Sequence, residues 1–576
     1  MTAARMPNLA PDIRRLSATM ARPFWRFADS LCTTGLLLAT LFFAVSLTPS
    51  LVPRSWEMQG VLSGLSLAAG YGIGVLARWF WHYLELPDVS ERVHRITVGV
   101  AAVIFVGVAL VFLWQAGEWQ NQVRELMGMA PLDSAHRFRV GLIALVVFAG
   151  LVVVARLFRL TFQAVSERLN RFIPRRIANA TGALVALLLF WMIIDGLLFR
   201  QMLRTMDNSF QQIDARMEPD VAQPGDPLKT GSEASLIGWE KLGRPGRNYV
   251  TDGPDREAIA ALTEEAAEEP LRVYVGLNSA ETIEARAELA LAEMKRVGAF
   301  ERSALVLVTP TGRGWIDPSA MDTVEYLHHG DIASVAAQYS YLPSWLSLMV
   351  EEQYGHQTAQ ALFRTVYEHW SGLPDDERPD LYLYGLSLGA LNSERALDFY
   401  DVIGDPVSGA LWSGPPYRSE AWREITRQRQ PGSPAWLPRF RDDSVVRFSN
   451  QYTDGGAIDA PWEPMRILYL QYASDPVTFF EPQAFYRQPE WMEPPRGPDV
   501  TDELRWFPIV TGLQLAVDVM AGDEAPAGFG HVYAPADYID AWRAVTEPPG
   551  WTPEAVDRLK ARFRENGPAG AEPADD

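Results

Sequence analysis

The sequence predicts two structures in one chain. The first is an N-terminal all-α transmembrane bundle of about five helices. The second is an α/β domain with a mostly parallel sheet and helices on both faces. Three observations predict this. Five long apolar runs fill the first 200 residues, short β-rich runs alternate with helical periodicity after about residue 268, and one of those runs leads straight into a Gly-Leu-Ser-Leu-Gly turn at 385–389. Strand–helix alternation is the signature of parallel pairing, because each parallel crossover needs a helix's length of chain.

The uncharged runs cover residues 30–53, 58–77, 96–114, 140–155 and 177–194. A hydrocarbon core about 30 Å thick takes ~20 helical residues, and the shorter runs reach that length with their flanks. Charge divides the chain at the same place. Residues 1–205 carry 20 Arg, no Lys and 11 acidic residues, a net of +9, while the rest nets −29 and the whole chain −20. An acidic outer half argues against nucleic acid as a partner, since phosphate needs basic patches. The single cysteine, Cys32, excludes a disulfide scaffold and cysteine-rich metal sites. No metal and no cofactor is expected.

The arginines predict orientation. The N-terminal tail and the joints after the second and fourth runs hold 14 of them, and the opposite joints hold four, Arg54, Arg124, Arg137 and Arg139. The expectation is a multi-pass protein of the cell membrane with its N-terminus cytoplasmic and its acidic domain extracytoplasmic. Apart from Asp195 near the end of the fifth run, charge is nearly absent inside the runs, so anchoring is their expected role. The predicted division is a cytoplasmic tail at 1–29, transmembrane helices at 30–205, a Gly/Pro-rich linker at 206–267, the α/β domain at 268–562 and a disordered tail at 563–576.

Within the α/β domain, strands are expected at 271–275, 304–308, 381–384, 410–412 and 466–472. Helices are expected at 281–297, at 390–400 and over a long stretch at 332–370, broken at Pro343. The strand at 381–384 feeds Gly385-Leu386-Ser387-Leu388-Gly389 and then a helix. That context makes Ser387 a candidate nucleophile on a strained strand-to-helix turn.

A serine needs a base and an orienting acid. In sites built on this kind of turn the acid follows the nucleophile and the histidine comes last. Of His328, His329, His356, His369 and His531, only His531 lies beyond Ser387. Asp475 sits just past the strand at 466–472 and is the candidate acid, with Asp405, Asp442 and Asp443 as rivals. The oxyanion needs two backbone donors. One is the N–H of Leu388. Turns at 276–279 and 311–314 compete for the second, and the first strand of such a domain is the usual source, which favours Leu277 or Asn278. Residues 479–507 hold seven aromatics and five prolines, which suggests either a cap facing the bilayer or aromatics that complete the core.

With these residues in view, the chain resembles a bacterial family of membrane-anchored α/β-hydrolases, with an N-terminal multi-helix part and a C-terminal catalytic domain. The resemblance rests on residues 47–54 (LTPSLVPR), 310–317 (PTGRGWID), 325–331 (EYLHHGD), 338–345 (QYSYLPSW), 385–389 (GLSLG), 473–476 (ASDP) and 530–532 (GHV). It implies a Ser–His–Asp hydrolase and carries over Ser387, Asp475 and His531. Some members look like hydrolases of aminoacylated phospholipids, and no residue here fixes that substrate. The leading expectation is a serine hydrolase (esterase or lipase-like) acting at the outer membrane face on an ester in a lipid or lipid-linked molecule. A transacylase with the same triad and a non-catalytic receptor or scaffold are the alternatives. One departure from the general fold is that no strand is evident between Asp475 and His531.

Overall fold

A computed structural model of the chain describes residues 30–568 except 88–89, 135, 194–195, 197–199, 220, 351, 399–401 and 454–459. The side chains of 200, 202–208, 345, 348–349 and 352 are also not described. The arginines of the N-terminal tail, Asp195 and the end of the C-terminal tail therefore lie outside the described residues.

The N-terminal region is helical: α1 (Thr33–Ser46), α2 (Trp56–Tyr83), α3 (Glu91–Leu126), α4 (Arg137–Leu169), α5 (Arg175–Trp191) and α6 (Arg200–Ala215). Among the described residues three helices, α2, α3 and α4, are long and apolar enough to cross a membrane. Their outward faces stay apolar and exposed, as at Leu76, Val103, Trp114 and Leu145. Helix pairs close on small residues, the usual device where a hydrophobic drive between helices is missing. A Cβ on Gly74 of α2 would stand 2.6 Å from the Cα of Gly35 on α1.

The first apolar run is not helical throughout. α1 has 14 residues and stops at Ser46, because Pro49 and Pro53 cannot continue it. Residues 47–54 are buried between the bundle and the α/β domain. α5 has 17 described residues and falls short of the other three.

The α/β domain is built on seven parallel strands: β1 (Leu271–Val275), β2 (Ala304–Thr309), β3 (Ile332–Ala337), β4 (Asp380–Leu386), β5 (Gly409–Ser413), β6 (Val446–Ser449) and β7 (Arg466–Leu470), in the order β1-β3-β2-β4-β5-β7-β6. Nearly every strand residue is buried, as expected of a parallel sheet covered on both faces. The expected strands are present. β3 is the exception, since its Ile-Ala-Ser-Val-Ala-Ala run was expected to open a long helix. Alanine-rich and free of Gly and Pro, it has helical propensity, but pairing with β1 on one side and β2 on the other overrides it. Helix resumes only at Ser344–Val350 and Glu352–Trp370.

The connector is not a free linker. Trp239, Leu242, Tyr249, Val250 and Ile259 lie in the same hydrophobic core as the sheet, and Thr230 donates its hydroxyl to the carbonyl of Arg272 at 3.0 Å. As the sequence suggests, no strand lies between Asp475 and His531. The sheet edge beyond β7 is filled instead by β6, from earlier in the chain.

Candidate active site

The site lies at the carboxyl ends of the central strands, where open α/β sheets bind ligands. β4 ends at Leu386, and helix α7 (Leu388–Ala396) starts two residues later. Ser387 fills the gap with φ 56° and ψ −122°. A non-glycine residue holds such a conformation only where its surroundings impose it. The imposing contacts come from its neighbours. A Cβ on Gly385 would lie 2.3 Å from the carbonyl carbon of Gly389, and one on Gly389 2.2 Å from the carbonyl oxygen of Thr309. Only glycines let β4, α7 and the end of β2 approach so closely.

Ser387 donates its backbone N–H to the carbonyl of Ser413, at the end of β5, at 2.9 Å. The next residue, Gly414, touches the other two candidates. A Cβ there would stand 2.7 Å from Cε1 of His531 and 3.0 Å from Oδ2 of Asp475. The structure thus brings the turn of Ser387, Asp475 and His531 together from segments far apart in the chain.

Asp475 and His531 meet directly, Nδ1 to Oδ2 at 2.8 Å, with the carboxylate fully buried. Asp475 is also held by the hydroxyls of Tyr533 (2.7 Å) and Thr478 (3.1 Å) and by the N–H of Val477 (2.8 Å). Burial works against the imidazolium of His531, but the Asp475 carboxylate more than offsets it, so the imidazole sits above its ordinary 6.5. Its Nε2 is buried and has no hydrogen-bond partner. An imidazole oriented through Nδ1 with Nε2 unengaged is set up to accept a proton.

The rival acids are occupied elsewhere. Asp405 pairs with Arg378, Asp443 with Arg439, and Asp442 caps Ser444. Asp317, at the end of the turn after β2, escaped the sequence reading. Its buried carboxyl is pushed up to about 6 by burial, against hydrogen bonds from Ser319 and Tyr538. Tyr533 was missed too, although its place two residues after His531 was a usable signal.

Leu388 is the first residue of α7, so its N–H has no intrahelical acceptor and is available as a donor. Leu277 and Asn278 are not where the second donor was expected. They follow β1, which β3 and β2 separate from β4, and the Leu277 N–H is already given to Oε1 of Gln338 at 3.1 Å. The turn beside Ser387 is the one after β2, whose Thr309 carbonyl backs Gly389. The expectation failed because it counted strands along the chain and missed β3.

Of the two readings of the aromatic segment, Phe479 and Trp491 follow the core one. Phe479 and Trp491 are buried in the domain core, with their rings 5.7 Å apart and the Trp491 indole bonded to the Phe479 carbonyl. At these positions the segment completes the core and does not form an open cap. Among the described residues no group of three His, Cys, Asp or Glu side chains is placed to hold a metal ion.

No curated protein and no solved structure matches the chain. Residues 47–254 match the family model described as the N-terminus of an alpha/beta-hydrolase family. Residues 271–559, just over half of the chain, match the model of the hydrolase domain itself. With Ser387 on its strained turn and Asp475 and His531 beside it, the chain belongs to this alpha/beta-hydrolase family.

Proposed function

We propose that the protein is a membrane-anchored serine hydrolase, acting at the outer face of the membrane on a carboxylic ester in a lipid or lipid-linked substrate. The observation that carries the chemistry is the 2.8 Å contact between His531 Nδ1 and Asp475, with Nε2 left unbonded next to the turn of Ser387. In the first half-reaction Nε2 takes the proton of the Ser387 hydroxyl as Oγ attacks the ester carbonyl carbon. The developing oxyanion falls to the Leu388 N–H, and the imidazolium then protonates the departing alcohol. Water, deprotonated by the same nitrogen, releases the acid from the acyl-enzyme.

The membrane placement is supported by helix direction. Arg54, Arg124 and Arg137 border one cavity together with Glu524 of the hydrolase domain. The arginine-rich joints after α2 and α4 lie at the opposite ends of these helices. Under the positive-inside rule this arrangement supports a hydrolase domain on the outer side. A fluorophosphonate probe should label wild-type protein at Ser387, and Ser387→Ala should abolish labelling and turnover of a carboxylic ester. Undiminished turnover in that variant would remove this reading.

A further inference from the structure

Residues 47–54 do more than join α1 to α2. Thr48, Leu51, Val52 and Arg54 are all buried, and they meet helix α8 (Val510–Ala521) of the hydrolase domain. Gln514 donates to the carbonyl (3.0 Å) and hydroxyl (3.1 Å) of Thr48. The Leu51 N–H donates to Oδ2 of Asp518 at 3.1 Å, and Arg54 Nε donates to Oδ1 at 2.7 Å. Neither side chain of this ion pair has any exposed surface. Arg54 also gathers the bundle: its Nη1 donates to Gln59 on α2 at 2.8 Å, and its backbone N–H to Gln120 on α3 at 3.0 Å. Arg54 also lines a cavity of about 540 Å³ between the bundle and the hydrolase domain.

The far end of α8 reaches His531. Gly522 follows the helix directly, and its carbonyl accepts the His531 N–H at 3.1 Å. A Cβ on Gly522 would lie 3.2 Å from the Cβ of His531. From the other side, the Gly530 N–H donates to the hydroxyl of Ser474, the residue before Asp475, at 3.0 Å. Gly530 has φ +57°, and a Cβ there would meet Ala525 at 2.7 Å and Cγ1 of Val52 at 3.3 Å. The His531 loop is thus clamped between the acid's strand and the end of α8, with the N-terminal segment as its backing.

We propose that Arg54 is a positioning residue for His531: through Asp518 and α8 the N-terminal helical region holds the imidazole on Asp475, so this region is part of the catalytic apparatus and not only an anchor. The proposal rests on the serine-hydrolase reading above. Its physical basis is that a buried charge stripped of its partner forces local rearrangement, and α8 offers a direct route from that rearrangement to the base.

The test uses the full-length protein in detergent micelles and reads the rate of fluorophosphonate labelling at Ser387 against pH, together with the melting temperature. The charged and titratable groups facing His531 are Asp475, Asp523, Asp317 and Tyr533, and none is altered by the variants. Arg54→Ala and Asp518→Asn should slow labelling by about 10–100-fold and move the midpoint of the pH profile toward that of an unpaired imidazole. Arg54→Lys should recover part of both. Leu559→Ala, a buried truncation in the remote helix Pro553–Asn566, should lower the melting temperature with rate constant and midpoint unchanged. If Arg54→Ala does not accumulate, Val52→Ala and Asp518→Asn carry the same expectation. Wild-type rate and midpoint in the Asp518 and Arg54 variants, or equal changes in Leu559→Ala, would overturn the proposal while leaving the hydrolase reading intact. A wild-type protein that never labels would instead remove the hydrolase reading itself.

Discussion

Gly414 lies against the imidazole of His531 so closely that a Cβ would stand 2.7 Å from Cε1. Its φ of +51° is also in the region that favours glycine. Gly414→Ala therefore has to displace either its own backbone or the base. A misplacement near 1 Å is enough to cost on the order of 10²-fold in turnover. Turnover of a short soluble ester should fall by about that factor, with the secondary structure seen by circular dichroism retained. Wild-type turnover would mean that His531 has room to move without penalty.

The pH dependence follows from the pair of His531 and Asp475. The proposed base, His531, would work as neutral imidazole, and its proton affinity is raised above the ordinary 6.5 by the buried carboxylate. Turnover should therefore rise with pH through a midpoint above ~6.5. Asp475→Asn should cut kcat by about 10⁴-fold and shift the residual midpoint downward, because burial alone favours the neutral ring. The linked stability has the opposite sense. A raised folded-state value stabilises the protein below the unfolded value, and that contribution is lost as pH rises through the folded one. A midpoint that rises in Asp475→Asn would exclude the carboxylate as its cause.

Tyr533 shares Oδ2 of Asp475 with His531. Tyr533→Phe removes a hydrogen bond to a charged group, worth about 1.5–3 kcal/mol, and leaves the acid with less restraint. Stability should drop by an amount of that order and kcat by roughly ten-fold, with KM little changed. An unaltered kcat would assign the tyrosine to packing alone.

Phe479 gives a discriminating experiment on substrate access. Because it is buried in the core, Phe479→Ala should cost about 3–5 kcal/mol of stability. Whatever activity survives should fall equally on long-chain and short-chain esters. A selective loss on long chains would restore the segment as a lipid-binding cap.

Orientation can be tested with reporters fused after residue 215, the end of α6, and at the C-terminus. Both should be active only outside the cytoplasm. A cytoplasmic signal at the C-terminus would mean an even number of crossings, with α1 and α5, the two short helices, as the first to re-examine.

Much of this molecule was legible in its sequence. Apolar runs and helical periodicity gave the helical half, and alternating strands gave the parallel sheet. The glycines of 385–389 mark a turn that only a close strand–helix approach requires. Chain order singled out His531, and a strand ending before Asp475 singled out that acid, because these are local or one-dimensional facts. What the tertiary structure alone decided depends on which surfaces meet. Hydropathy cannot tell an apolar residue facing lipid from one facing protein, so residues 47–53 fall within the first apolar run although Leu51, Val52 and the adjoining Arg54 are buried against α8 and Gly530. Strand order is not chain order, so the turn beside Ser387 belongs to β2 and not to β1. Propensity is weaker than pairing on two sides, so β3 is a strand. The joint of Arg54 with Asp518 spans 464 positions, and no local pattern encodes a contact at that range. It exists because folding leaves two opposite charges in one buried interface, where neither is stable without the other.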